Sequence, residues 1–482
     1  MGGVTAASAL VATSHPLQRA GAWAAAVMAG RSQPADLTAD DLDAVASRLV
    51  DDVCVAATAP KDKPAYDWWK VLFALYPNSK ATHSKRPSDR DVLRPDIENL
   101  FAADAPQALR NPCTFCGTGA GAVWAKSNLP LFDTSKALNT LPPGARGWPV
   151  CRGCRIAMWA LPYGSWVTAG SATVLSCEKD AAEREFARRN VQRARRVMHA
   201  GFSGLAAGAR AELVAVTALR DAAASELCAT TLWTFKNDNQ EPWLRVTRTR
   251  RAVSVFLATV DGNASLRRGW NVLRRALTRY DAEGRVTAGG AGEAARLLFE
   301  AEDGRSRSLL LQLHYLLWET DDSWNLGDRD ALTRLAYIYA EEVYGMTTDL
   351  EPVAVVLAEW IARGSSPRGR LAEYKNAALS DYKLGQLLIQ ASVRLQMDAT
   401  GTPVAGPEYW APLIGRRPRA WEQRMLLFAR VLVLLQQRGV AVGAKVADPE
   451  QEREIEAELD RPPFDENQDQ DFEASDYSMG PA

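Results

Sequence analysis

Four cysteines in two pairs constrain this chain more than any other feature. They are Cys113-Thr-Phe-Cys116 and Cys151-Arg-Gly-Cys154, separated by 34 residues. Each Cys-x-x-Cys puts two thiols on one tight turn, and two such turns complete a tetrahedral S4 site of the kind zinc prefers. Gly117 and Gly153 suit the positive φ with which such a turn folds its amides back toward sulfur. Four unconnected thiols, or a redox pair of thioredoxin type, are the competing readings. A redox motif needs one pair in a βαβ context, and here there are two pairs without that context. The separation exceeds the usual spacing of roughly 15–20 residues, so residues 117–150 are expected to loop out of a zinc ribbon spanning 111–164. With Cys at all four positions no site is left for water, so the zinc is expected to hold structure rather than do chemistry.

A chain of 482 residues has room for about two to four domains and a sizeable core. No apolar run reaches the ~20 residues that cross a bilayer, which predicts a protein without a membrane span. The Ala-rich N-terminus is interrupted by His15 and Arg19 and has no basic segment before it, which argues against a signal peptide. Cys54, Cys177 and Cys228 are scattered, and that usage suits a reducing cytoplasm better than a disulfide framework. The net charge of −1 is an average over unlike parts. From Asp448 onward there are thirteen acidic and two basic residues, which leaves 55 basic and 45 acidic residues in the body. A positive body makes anionic partners plausible, although basic faces are often only solvated surface.

Taken in order, Pro16–Ala29 reads as a helix with Pro16 in its first turn and Gly30 as its stop. Thr38-Ala-Asp-Asp41 opens a second helix as a capping-box variant. A Trp-rich segment follows, Trp68 to Tyr76, then Pro77-Asn-Ser-Lys80. Residues 80–94 are basic and aperiodic (Lys80, His83, Lys85, Arg86, Arg90, Arg94) and are expected to form a loop. Such a loop is either a nucleic-acid contact or a solvated surface. Ser165–Ser176 reads as two short strands around Gly170, and Thr230–Phe235 and Trp243–Arg248 as a strand pair. Between 183 and 200, Phe186, Asn190, Val191, Ala194 and Val197 define one helix face. Arg184, Arg188, Arg189, Arg193, Arg195 and Arg196 crowd the rest, which favours phosphate contact over plain surface. From Ala252 onward the pattern is helical almost throughout, with helices expected at 328–344, 350–363, 368–397 and 419–438. The stretch from Asp448 is acidic, Pro-interrupted and expected to be disordered.

There is no G-x-x-x-x-G-K-[ST], no G-x-S-x-G, and the four histidines form no metal or triad pattern. Nothing in the sequence supports an enzyme.

Several blocks in the first half resemble, in order, the CXXC–CXXC proteins of type I CRISPR systems, the large subunits of the Cascade surveillance complex. These are His15-Pro-Leu17 with Ala20-Gly21 and Asp36–Asp41, then Tyr76-Pro-Asn-Ser79. Asn139, Gly144, Gly147, Cys151–Cys154 and Leu161-Pro-Tyr-Gly164 follow, then Phe235-Lys-Asn237 and Trp243-Leu-Arg245. The resemblance covers roughly residues 10–250. It departs at Gln18-Arg19, where an acidic pair is expected, and the C-terminal half matches only in being helical.

The resemblance implies a non-catalytic cytoplasmic subunit that sits at the crRNA 5′ end beside other Cascade backbone subunits. It would read the PAM on target double-stranded DNA and recruit a helicase-nuclease. In such complexes base pairing reads the sequence and protein reads a short duplex motif. Asn78, Lys80, Lys85 and Arg86, and Lys236, Asn237 and Asn239, are the candidates for duplex contact. Arg184, Arg188, Arg189 and Arg193 are the candidates for backbone contact. Some type I systems make their small subunit from an internal start. Here Met346, after Gly345 and before Thr347-Thr348, is the best-placed methionine, with residues 346–482 expected to give about three helices and the acidic tail. The rivals are a zinc-ribbon nucleic-acid enzyme acting alone and a helical scaffold with a structural zinc.

The expected fold is α+β: a mixed region (1–250) carrying the zinc ribbon, helical regions at 251–345 and 346–447, and a disordered acidic tail (448–482).

Overall fold

Pro16 fixes the start of the first helix, α1 (Pro16–Met28), and the His15 ring accepts the Gln18 N–H as its cap. The computed structural model describes residues 10–460 except 84, 106–110, 131–146, 206–209, 223–225, 238–240, 302–308, 319–325, 347–348, 399–400, 402–404, 416–419, 441, 443–444 and 446. Asn139, Gly144, Asn239, Thr347, Thr348 and residues 461–482 therefore lie outside it. The chain divides into two compact units, residues 1–258 with 278–306, and residues 259–277 with 307–482. The expected divisions at 250 and 345 do not coincide with these borders.

In the first unit, Thr38 and Asp41 form the expected capping box of α2 (Ala39–Thr58). The Trp-rich segment is α3 (Ala65–Leu75). The expected loop over 80–94 is corrected at its end. Asp89 caps α4 (Arg90–Glu98), which buries Leu93 and Ile97 at i, i+4 spacing. Surrounding charge and the internal Pro95 concealed that pair in the sequence.

Four short strands frame the cysteines: β1 (Asn111–Pro112), β2 (Gly119–Ala120), β3 (Ala122–Trp124) and β4 (Trp148–Val150). β1 pairs with β2 and β3 with β4, all antiparallel. The second cysteine pair opens α5 (Arg152–Gly164), which is buried along nearly its whole length. Two glycines let α5 and α1 cross at backbone contact. A Cβ on Gly21 would lie 1.8 Å from the Ala157 carbonyl oxygen, and one on Gly164 would lie 2.5 Å from that of Ala20. Trp159 of α5 stacks on Tyr76 with centroids 4.5 Å apart, and the Tyr163 hydroxyl donates to Asp52 of α2 at 2.8 Å.

Beyond α5 come β5 (Trp166–Val167), β6 (Ala172–Cys177), α6 (Asp180–Ala200), α7 (Ala211–Asp221), β7 (Thr230–Lys236) and β8 (Trp243–Arg248). The two expected strand pairs form as read, and β6 joins them by pairing with β7. After α8 (Val253–Gly262) and α9 (Ala264–Ala276) the expected run of helices is interrupted. A hairpin of β9 (Arg279–Tyr280) and β10 (Val286–Ala288) leads through α10 (Gly290–Leu297) into β11 (Glu300–Ala301). β11 pairs with β8 and completes a five-stranded antiparallel sheet in the order β11-β8-β7-β6-β5. Strands of two or three residues are too short to show an alternating period.

The second unit is helical: α9 with α11 (Leu309–Trp318), α12 (Leu326–Tyr344), α13 (Glu351–Ala362), α14 (Pro367–Ala378), α15 (Asp381–Met397), α16 (Pro407–Ile414) and α17 (Ala420–Gln437). The single helix expected over 368–397 is two, because Ser380 caps α15 by accepting from the Lys383 N–H. The disorder expected from Asp448 is corrected over Pro449–Asp460, which forms α18. Asp448 accepts from the Glu450 N–H, Ile455 is buried, and Arg368 of α14 pairs with Glu452 at 3.0 Å. Acidic residues in its first turn suit the helix dipole, and their number concealed Ile455. At Met346 the preceding Gly345 has φ +68° and the Met346 N–H reaches the Ala340 carbonyl, a Schellman ending of α12. α17 packs against α11, α12 and α13 alike. A product starting at Met346 would be without two of those three supports.

Candidate metal centre and nucleic-acid contacts

The ribbon strands bring the cysteines together. In the first turn the Gly117 N–H donates to the Cys113 carbonyl at 2.9 Å, and Gly117 has the expected positive φ, +78°. The Thr114 N–H donates to the Pro149 carbonyl at 2.9 Å and ties this turn to β4. The second pair departs from the expectation of two matching turns. Cys151 occupies the N-cap of α5 and Cys154 its first turn, so Gly153 is helical and has no positive φ. A helix N-terminus supplies partial positive charge where thiolates gather.

The four sulfurs lie within 4.8 Å of one another, with Cys116 and Cys151 at 3.5 Å. A tetrahedral zinc with bonds of ~2.3 Å places its sulfurs about 3.8 Å apart, so the set fits that ion closely. Among the described residues this is the one group of three or more Cys, His, Asp or Glu side chains close enough to share a metal ion. Hydrogen bonding from Cys151 and Cys154 holds the Cys113 thiol far below its ordinary range. The shared proton correspondingly pushes Cys151 up to about 11, and its two neighbours push Cys154 well above its ordinary value. A bound divalent cation would favour the thiolate form of its cysteine ligands, so metal binding would release protons.

The surrounding shell is built from two directions. Arg152 donates to the Phe101 carbonyl at 2.7 Å and pairs with Asp43, while buried Arg155 reaches the Leu100 and Ala102 carbonyls and Asp104 at 2.6–2.9 Å. Gln18 is fully buried, and its Nε2 donates to Cys154 Sγ at 3.6 Å and to the Val11 carbonyl at 2.8 Å. Its Oε1 accepts from the Thr13 N–H and hydroxyl, both at 2.8 Å. A neutral amide donor suits a thiolate, whereas a carboxylate there would repel it. Arg19 turns away to Asp180 and Glu183, and buried Glu183 also accepts from Trp23 Nε1 at 2.8 Å. Gln18 was not among the expected site residues. Its signal was a lone amide set between Leu17 and the small apolar run Ala20-Gly21-Ala22.

The expected nucleic-acid residues separate into used and available groups. Asn237 is corrected to a structural role: it is buried, its N–H donates to the Ala74 carbonyl at 3.0 Å, and its amide donates to the Leu75 carbonyl at 2.7 Å. Lys236 is half-buried at the end of β7, and Asn78 is half-buried beside Tyr76. Lys80 pairs with Asp96, Arg86 lies 4.2 Å over the Trp69 ring, and Lys85 is exposed. On α6, Arg193 lies 3.8 Å over Trp166 and is half-buried, which lowers its pKa. Arg189 bonds Glu185 and Asp221, and Arg188 forks onto Glu185 with two bonds of 2.6 Å. Arg184 is exposed, with no ion pair among the described residues. Arg195 and Arg196, which the sequence also places on the arginine-rich side of this helix, are exposed as well. Arg184, Arg188, Gln192, Arg195 and His199 follow i, i+4, i+8, i+11, i+15 spacing along one exposed face. Arg184 and Arg195 are thus about 16 Å apart along the axis.

No known family, no curated protein and no solved structure matches this chain in sequence or fold comparison. Among the described residues no helix is long and apolar enough to cross a membrane.

Proposed function

We propose that this chain is a non-catalytic large subunit of a type I CRISPR surveillance complex, with zinc in the four-cysteine site as a structural ion. It holds the crRNA-guided assembly against target duplex DNA, reads the PAM, and presents the complex to a helicase-nuclease. One observation carries the reading. The blocks that resemble the family are scattered over more than 200 residues of sequence, yet several of them meet at or next to α5. Gly21 and Gly164 make its crossing with α1, Tyr76 stacks on its Trp159, Cys151 and Cys154 open it, and Asn237 ties β7 to the end of α3 that carries Tyr76. A set of blocks that shares one packing problem is more specific than its two cysteine pairs alone.

The arginine face of α6 is the phosphate contact. The test is a titration of duplex DNA with the assembled complex at several salt concentrations. Replacing Arg184, Arg195 and Arg196 by Ala should weaken binding to every sequence and reduce the salt slope by about 0.9 for each phosphate no longer neutralised. An unchanged slope would remove α6 from the interface.

A further inference from the structure

On α3, Tyr66, Trp69 and Phe73 follow one another at i, i+3 and i+7, and their rings form a ladder. Tyr66 and Trp69 stack at 5.0 Å with planes 20° apart, and Trp69 and Phe73 at 5.4 Å with planes 28° apart. Tyr66 and Trp69 are half-buried, and the end ring, Phe73, is 40% exposed. The opposite face of α3, with Trp68, Val71, Leu72 and Leu75, supplies the core. Two of the rings already carry cations. Arg86 lies 4.2 Å over the indole of Trp69 while its Nε donates to the Ala57 carbonyl at 2.8 Å, and Lys70 Nζ lies 5.5 Å from the Tyr66 ring centroid. Trp69 Nε1 donates to the Ala81 carbonyl at 3.2 Å, and Phe73 is the open end of the ladder.

Charge completes the pattern. Residues 61–86 carry six cationic side chains (Lys61, Lys63, Lys70, Lys80, Lys85, Arg86) and two acidic ones, Asp62 and Asp67, with Lys63 Nζ 3.7 Å from Asp62. Lys70 engages Asp67 at 2.7 Å, Lys80 engages Asp96, and Lys85 is exposed with no ion pair among the described residues. Aromatic faces beside a cationic stretch bind the two parts of an unpaired nucleotide at once, since every base has a stackable face and every link a phosphate. A duplex offers no free base face to such a surface.

We propose that the Tyr66–Trp69–Phe73 ladder is a stacking platform for unpaired bases of a single nucleic-acid strand, with Lys85 and its cationic neighbours taking the phosphates. This rests on the reading of the chain as a nucleic-acid-binding subunit and adds a site distinct from the duplex contact on α6.

The test measures binding of the zinc-loaded full-length chain to three fluorescein-labelled probes: a 20-nucleotide oligo-dT, an abasic strand of the same length and charge, and a 20-base-pair duplex. One stacked base contributes about 1–3 kcal/mol, so oligo-dT should bind roughly 5- to 150-fold more tightly than the abasic strand. Phe73→Leu, which keeps apolar bulk and removes the ring, should bring that ratio toward one. Its salt slope and duplex affinity should not change. Trp69→Phe keeps a ring and should retain most of the ratio. Equal affinity of the wild type for the two single strands, with duplex binding intact, overturns this proposal and leaves the subunit reading standing. A ratio unmoved by Phe73→Leu also overturns it. Binding to none of the three probes overturns both.

Discussion

Gly21 and Ala157 face each other so closely that a single methyl group on Gly21 would sit 1.8 Å from the Ala157 carbonyl oxygen. That approach fixes how α5, and with it the second cysteine pair, lies across α1. Gly21→Ala cannot be accommodated by a side-chain rotation, because the atom it meets is backbone. The expected cost is about 3 kcal/mol or more of unfolding free energy, read as a lower melting temperature. Gly30→Ala provides the contrast. Its φ of +71° makes it strained, but nothing lies within 4 Å, so its cost should be nearer 1 kcal/mol.

Much of this arrangement was legible in the sequence, and the part that was not has a consistent cause. Cys113, Cys116, Cys151 and Cys154 are named by their spacing alone, and α1, α2 and β5–β8 follow from caps and periodicity. What the sequence hid was pairing over long separations. Nothing local to Arg193 announces Trp166 beneath it, and nothing local to Asn237 announces the carbonyls of Ala74 and Leu75. Charge density also misleads in both directions. It made α4 read as loop and α18 as disorder, because one apolar residue per turn suffices when a neighbouring helix covers it.

The four cysteines should bind about one zinc per chain. Cys154→Ser, which removes the ligand that Gln18 supports, should abolish stoichiometric zinc, and elemental analysis of the purified chain reads this directly. Gln18→Glu should weaken retention of zinc against a chelator by roughly 10- to 100-fold, since it replaces a donor to sulfur by a negative charge. Unchanged retention would show that the Gln18 hydrogen bond does not bear on the metal.

Stability should depend on pH through His314. The ring is buried in the second unit beside Trp421, neither nitrogen has a partner among the described residues, and burial depresses its pKa to about 3. Between pH 6.5 and 3 the unfolded chain therefore binds a proton that the folded chain refuses, so stability falls as pH drops through this window. Relative to wild type, His314→Leu should remove about 2 kcal/mol of the stability difference between pH 7 and pH 5. Denaturant titrations at the two pH values measure it, and equal pH dependence in both proteins would contradict the assignment.

Arg193 separates structural from binding arginines on α6. Arg193→Ala removes the cation lying over Trp166 and should cost about 1 kcal/mol of stability, with the salt slope of DNA binding unchanged. A reduced slope without loss of stability would return Arg193 to the phosphate-contacting set.

The most direct test of the central claim is to isolate the affinity-tagged chain from its native cells with its partners attached and sequence any RNA bound to it. A subunit of a guided complex should yield RNA of uniform length that shares one constant 5′ segment followed by varied sequence. An intact, zinc-loaded chain that brings down no RNA, or RNA of random length and sequence, would contradict the account.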